Sequence, residues 1–242
     1  MEADAATPRY CRLSVLVPVY NERRTVGEIL RRMRRVDLPA GLDTEIVVVD
    51  DGSTDGTTDV LAAVEDSTVR VVRHDVNRGK SGIRTALAHA RGDAVLVQDA
   101  DLEYDPADWA ALLAPLLAGR AQVVYGSRFL GARGTTTYWT HLGNRFISLV
   151  ADVLYNTSLS DVETCYKLFD RSVLDGISIE SDGFDFEPEV AAKLLRRGVR
   201  IYEVPISFSA RVAGEGPKFG ARDSVRALAT LVRYRFTPEG RS

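Results

Sequence analysis

Three acidic side chains, Asp99, Asp101 and Glu103, stand two apart at the end of the apolar run Ala94-Val95-Leu96-Val97-Gln98. Such a run reads as a buried strand, and alternate residues of an extended segment point the same way, so the three carboxylates are expected to converge on one divalent cation. Acids at the edge of a core are costly unless positive charge meets them. An Asp-x-Asp triplet alone also describes an ordinary acidic loop, so its meaning depends on what accompanies it.

Three more polar clusters follow apolar runs. Tyr20-Asn21-Glu22 follows Leu13 to Val19, Asp50-Asp51 follows Glu45 to Val49, and Asn77-Arg78-Gly79-Lys80 follows Val69 to Arg73. Between them lie helical patterns: Val26, Ile29, Leu30 and Met33 within Arg24 to Arg35, then Thr57 to Val64, then a segment running to Ala90. Strands alternating with helices predict a mainly parallel sheet covered on both faces. Ligands of such sheets bind outside the carboxyl ends of the strands, so the four clusters are expected to share one rim. The Lys80 loop lacks Gly-x-x-x-x-Gly-Lys-Ser/Thr, and no Gly-x-Gly-x-x-Gly follows the first strand. A P-loop nucleoside triphosphatase and a dinucleotide dehydrogenase are therefore disfavoured.

At 242 residues the chain can bury one large core, and its net charge of -3 gives no reason to expect a nucleic-acid partner. Only four of its 31 basic residues are lysines, so a single lysine carries more information than a single arginine. Cys11 and Cys165 lie far apart without ligand-like spacing, which predicts reduced thiols in a cytoplasmic protein and no zinc site. The first ten residues do not read as a signal peptide. The longest nearly apolar stretch, Trp109 to Ala118, is interrupted by Pro115 and falls short of the roughly 20 residues that span a bilayer, so membrane contact is expected to be peripheral.

The second half continues with a strand-like Val123 to Phe129 ending in Gly126-Ser127-Arg128, and an apolar helical pattern from Tyr138 to Asn156 carrying Asn144-Arg145. Asp161-Val162-Glu163-Thr164-Cys165-Tyr166-Lys167-Leu168-Phe169 and Gly183-Phe184-Asp185-Phe186-Glu187-Pro188-Glu189 come next, then a strand near Arg200 to Val204. The final helix, about Phe219 to Phe236, is amphipathic, with Arg222, Arg226 and Arg233 on one face and Val225, Leu228, Ala229, Leu231 and Val232 assigned to the other. Its basic face suits anionic lipid headgroups or a membrane-anchored partner; packing on the domain is the plainer role.

The ordered set Val17-Pro18-Val19-Tyr20-Asn21-Glu22, Val48-Val49-Asp50-Asp51-Gly52-Ser53-Thr54-Asp55, Asn77-Arg78-Gly79-Lys80 and Asp99-Ala100-Asp101 resembles the inverting family 2 glycosyltransferases. These have the GT-A fold, an α/β, Rossmann-like, mixed and mainly parallel sheet with helices on both faces. Together with the second half, the order is similar to the polyprenyl-phosphate sugar synthases, the group that includes dolichyl-phosphate mannose synthase. The resemblance implies one GT-A domain over 12–236 between terminal tails at 1–11 and 237–242.

It also implies roles. Pro18, Tyr20, Glu22 and Asp50 would hold the base and ribose of a nucleotide-sugar, with Asp51 supporting the loop or the base and Lys80 near the phosphates. Asp101, with Asp99 and Glu103, would hold Mg2+ or Mn2+ against the diphosphate, making Asp101 catalytic by charge neutralisation. Arg128 and Arg145 would clamp the acceptor phosphate, and Asp161, Lys167 and Glu187 would lie near sugar or acceptor, Asp161 or Glu187 serving as base for a hydroxyl acceptor. Arg211 and Lys218 would contact the diphosphate from a closing loop. That loop departs from the commoner Arg-x-x-Gly-x-Ser-Lys form by one extra residue and by Pro217, which bears on Lys218 more than on Arg211.

A phosphate acceptor is already anionic near neutral pH and needs cationic clamps more than a base. The expectation is a metal-dependent enzyme, peripheral at the inner face of a membrane, that moves a hexose from GDP-mannose, or alternatively UDP-glucose, to a polyprenyl phosphate. A family 2 transferase with a hydroxyl acceptor and a non-enzymatic nucleotide-sugar sensor are the competing readings.

Overall fold

The computed structural model describes residues 9–131, 138–210 and 220–237. Among these residues seven strands form one sheet: β1 (Arg12–Val19), β2 (Asp43–Asp50), β3 (Val69–Arg73), β4 (Ala94–Val97), β5 (Val123–Ser127), β6 (Lys167–Asp170) and β7 (Ile201–Pro205). Among the described residues eight α-helices accompany them: α1 (Val26–Met33), α2 (Thr57–Ala62), α3 (Ser81–His89), α4 (Trp109–Leu117), α5 (Tyr138–Tyr155), α6 (Arg171–Leu174), α7 (Phe186–Arg196) and α8 (Ala221–Phe236). The strand order is β3-β2-β1-β4-β6-β5-β7.

The central strands are apolar because both of their faces are covered. All four residues of β4 are at most 2% exposed, and β1 buries Leu13, Val15, Leu16, Val17 and Val19. Full burial of each large aliphatic side chain contributes about 1.5–3 kcal/mol, which makes this pattern the main determinant of the sheet. On α1 the predicted stripe, Val26, Ile29, Leu30 and Met33, is the buried one.

β6 was not foreseen as a strand of its own. It pairs antiparallel with both β4 and β5, whereas β1–β2, β1–β4, β2–β3 and β5–β7 are parallel. This reversal carries the functional geometry. The chain entering β6, residues 161–166, lies at the same sheet edge as the chain leaving β1, β2, β3, β4 and β5. Sequence distant from the Asp-x-Asp motif is thereby delivered to its rim.

Arg9 and Tyr10 already belong to the domain, since both donate to Asp170, Tyr10 at 2.9 Å. At the other end α8 packs on α5 and α7 through Ala227, Leu231 and Tyr234, and the Tyr155 hydroxyl donates to the Leu231 carbonyl at 2.7 Å. Val225 and Val232, assigned above to the face opposite the arginines, are instead exposed beside them. At 100° per residue Val225 lies only 60° from Arg222, and the buried stripe is centred on residues 227, 231 and 234.

Candidate active site

The first wall of the rim is built from the loops after β1, β2 and β3. Asn21 adopts a left-handed φ of 55°, and ties two loops together by accepting from Thr54 N at 2.8 Å while its own N–H donates to Ser53 Oγ at 3.0 Å. Asp50 is fully buried; its carboxylate accepts from Ser53 N at 3.0 Å and Thr58 Oγ1 at 2.6 Å. Asp51 lies 2.6 Å from His74 Nδ1 and accepts from Arg78 N at 2.8 Å, so it organises the β3–α3 connection. Glu22 accepts from Thr25 Oγ1 at 2.5 Å, which turns it toward the start of α1. Pro18 is half-buried next to Gly82, and the Tyr20 ring stands 44% exposed on the rim.

Gly52 explains why two of these loops touch. It has a φ of +73°, and a Cβ there would lie 2.7 Å from the Val76 carbonyl carbon. Only glycine combines that backbone with that approach.

The acidic turn differs from the expectation. β4 ends at Val97, and Asp99 to Glu103 bend instead of extending, so side-chain alternation does not apply to them. Asp101 accepts from Glu103 N at 3.0 Å, a local turn bond. Asp99 is half-buried near Cys165, whose thiol is pushed up by burial and then by the Asp99 charge, and it lies close enough to Lys80 to raise its proton affinity. Among the described residues no three His, Cys, Asp or Glu side chains are grouped to hold a metal ion. The turn is seated on Gln98, whose buried carbonyl oxygen accepts from Trp109 Nε1 at 3.0 Å and from the Tyr166 hydroxyl at 2.7 Å.

The opposite wall centres on Arg128 and Asp161. The guanidinium donates in bidentate fashion, Nε to Oδ2 and Nη2 to Oδ1, both at 2.7 Å, and Arg128 N donates to the same carboxylate at 3.0 Å. Asp161 is only 1% exposed, and its own N–H is held by Glu203 at 3.1 Å. The guanidinium carbons of Arg128 and Arg145 lie 5.9 and 5.8 Å from the Phe129 ring centre, so this ring brings the two arginines together.

Lys80 and Glu187 join the two walls, with Nζ 2.5 Å from Oε1. Burial opposes the charge on Lys80, yet Glu187 and then Asp99 outweigh it and hold the ammonium well above its usual pKa. Glu187 Oε2 is buried with no hydrogen-bond partner. Lys167 does not reach the rim: its ammonium is fully buried, donates to the carbonyls of Val162 (3.1 Å) and Thr164, and sits 4.5 Å from the Tyr125 ring centre. Burial lowers its pKa.

Glu163 was not singled out by sequence reasoning. Burial, reinforced by Glu187, pushes its carboxyl up to about 8, and Oε1 has no hydrogen-bond partner. The Asp161-x-Glu163 spacing before a lysine was the available signal, but its weight depends on Glu187, which arrives from α7. A cleft of about 390 Å³ lies to one side, lined by His74, Arg78, Ser81, Arg84, Thr85 and Asp182; none of the predicted site residues lines it. Arg211 and Lys218 fall outside the described residues.

The glycosyl transferase family 2 model matches residues 14–178, more than half of the chain. The protein belongs to glycosyltransferase family 2. This member is 30% identical over 235 residues to the polyprenol monophosphomannose synthase of Mycolicibacterium smegmatis, covering 90% of this chain and 85% of that one. It is 32% identical over 222 residues to the undecaprenyl-phosphate mannosyltransferase of Micrococcus luteus, covering 86% and 88%. It is also 30% identical over 202 residues to glycosyltransferase AglJ of Haloferax volcanii, covering 83% of this chain but only 64% of that longer protein. Glucosyl-3-phosphoglycerate synthase of Mycobacterium tuberculosis, solved with Mn2+ and UDP-glucose, superimposes with a TM-score of 0.73 at 23% identity, covering 95% of this chain and 80% of that one. The same protein solved with phosphoglyceric acid gives 0.73 at 24% identity, covering 95% and 81%. These likenesses establish the GT-A fold of this family 2 enzyme.

Proposed function

We propose that this family 2 glycosyltransferase transfers a hexose, mannose in the favoured case, from a nucleoside diphosphate sugar to a polyprenyl phosphate with inversion. The observation that carries the reading is the Arg128–Asp161 fork with Arg145 across Phe129. Two guanidiniums at one rim suit a phosphate monoester, which binds such planar donors well and is already a nucleophile. Both oxygens of Asp161 are engaged by Arg128, so Asp161 serves to aim the clamp and not to remove a proton. The names of the mycobacterial and Micrococcus relatives support the mannosyl and polyprenyl choices.

Asp101, with Glu103 beside it, fits Mg2+ or Mn2+, because these ions are commonly held by one or two carboxylates plus substrate phosphates. A bound ion would neutralise the charge developing on the departing nucleoside diphosphate. Tyr20 and the loops fixed by Asp50 and Asp51 receive the nucleoside, and Lys80, held in place by Glu187, offers positive charge to the donor. Arg211 and Lys218 remain proposed diphosphate ligands. The enzyme works at the inner face of a membrane, without a membrane-crossing helix among the described residues.

The test is transfer of labelled sugar from GDP-mannose and, in parallel, UDP-glucose into organic-extractable polyprenyl phosphate, with Mg2+, Mn2+ or chelator. Chelator-sensitive lipid label from GDP-mannose is the expected result, and label from UDP-glucose alone changes the donor. Donor hydrolysis with no lipid product overturns the lipid acceptor and favours a hydroxyl one.

A further inference from the structure

The long helix α5 turns two different faces to its surroundings. Asn144, Ile147, Ser148 and Ala151 pack inward. Outward stand Trp139, Leu142, Phe146, Leu149 and Val153, with exposures of 76, 43, 52, 55 and 76%. Their spacing of three and four residues keeps them on one stripe along the helix. A row of five large apolar side chains in water is unfavourable unless something covers it, and such contiguous patches mark interaction surfaces.

Three observations say what covers it. First, α8 lies beside α5, joined to it by the Tyr155–Leu231 bond, and its exposed side mixes Val225, Val232 and Phe236 with Arg222, Arg226 and Arg233. Apolar side chains flanked by arginines suit a bilayer with anionic headgroups. A second copy of this chain would instead set one basic, apolar face against another. Second, Tyr138 and Trp139 are both highly exposed at the head of α5, and amphipathic rings favour the headgroup level. Third, Arg145, exposed on the same helix, reaches the Phe129 ring that it shares with Arg128. A surface seated on α5 therefore adjoins the two phosphate-binding candidates.

We propose that the outer face of α5, flanked by the arginines of α8, is the surface on which this enzyme lies on an anionic membrane, with Trp139, Leu142, Phe146, Leu149 and Val153 entering the boundary between headgroups and acyl chains. The proposal puts the principal contact on α5 and gives the basic side of α8 a flanking role, while the opposite side of α8 packs on the domain. It rests on the reading that the acceptor is a membrane lipid, since docking on α5 brings the arginine rim to the lipid's phosphate.

The protein carries its own reporter. Of its two tryptophans, Trp109 is fully buried and Trp139 is 76% exposed, so a change of emission on adding vesicles reports Trp139. The full chain is mixed with phosphatidylcholine vesicles with and without phosphatidylglycerol, and bound protein is measured by flotation. The expected result is a blue shift and salt-sensitive binding to the anionic vesicles, with the Leu149→Gln/Val153→Gln variant binding at least about tenfold more weakly. Both positions are exposed, so the thermal midpoint should not change.

The same variant should lose transfer to long-chain polyprenyl phosphate in vesicles while keeping transfer to a short, water-soluble prenyl phosphate. Wild-type vesicle binding by the variant overturns the docking surface, and does so even if soluble transfer succeeds. A wild-type dimer that the two substitutions dissociate, without vesicle binding, also overturns it and assigns the stripe to a second copy. Vesicle binding lost in the variant, with no prenyl phosphate accepted from any donor, upholds the docking surface and refutes the acceptor reading alone.

Discussion

The ammonium of Lys80 lies 2.5 Å from the Glu187 carboxylate, joining the loop after β3 to the first turn of α7 across 107 positions of sequence. The lysine side chain is 21% exposed and the glutamate 5%, so removing one partner strands the other with little water to replace it. Lys80→Met is expected to cost about 3 kcal/mol, as breaking a buried pair does, and Glu187→Gln somewhat less because the amide still accepts a hydrogen bond. Urea denaturation of both single variants and the double variant should give a coupling energy of about 1–3 kcal/mol. Additivity within about 0.3 kcal/mol would show that the two groups are independent.

Asp161 should behave as the residue that aims Arg128. Asp161→Asn keeps one hydrogen bond but loses the bidentate fork, so the acceptor kcat/KM is expected to fall roughly 10- to 100-fold while the donor KM holds. The pH profile of the residual activity should keep its shape. Disappearance of an ionisation from that profile would identify Asp161 as a general base.

Glu163 confers a pH dependence on stability. Burial and the neighbouring Glu187 raise its carboxyl from the usual 4.5 to about 8 in the folded chain, so the folded state binds this proton more tightly than the unfolded one. The resulting stabilisation is complete below about pH 4.5 and is lost as the pH climbs through about 8. Glu163→Gln should flatten the thermal midpoint across that window and leave the variant relatively more stable at its alkaline end. An unchanged slope would mean that Glu163 is ionised throughout.

Asp101→Ala is expected to abolish metal-dependent donor binding and to reduce transfer at least 100-fold, with the metal-free thermal midpoint within about 2 °C of wild type. Calorimetric titration of Mn2+ with the nucleoside diphosphate reads the first effect directly. Wild-type metal affinity in the variant would remove Asp101 from the metal site.

Local pattern was enough where a function depends on neighbours in sequence. Runs such as Leu13 to Val19 and Ala94 to Val97 are legible as buried strands because both faces demand apolar side chains, and the loop clusters at Asn21, Asp51 and Lys80 follow them within a few residues. The acidic triplet departs from its expected convergence for a reason equally local. Its spacing has meaning only if the chain stays extended, and β4 ends at Val97. Lys167, expected near sugar or acceptor, is instead received by the carbonyls of Val162 and Thr164, a burial that nothing in its sequence neighbourhood announces.

From motif order the chain determined its family, and from periodicity its mainly parallel sheet and the edge at which the loops after β1 to β4 gather, because each rests on local pattern and short-range turns. Only the tertiary structure decided that β6 runs backward between β4 and β5, that Asp161 thereby meets Arg128, that Glu187 meets Lys80, and that the stripe from Trp139 to Val153 faces outward. These are choices of partner between segments tens of residues apart. They are set by which faces the sheet and helices cover when the whole core packs, and a linear pattern carries no record of that competition.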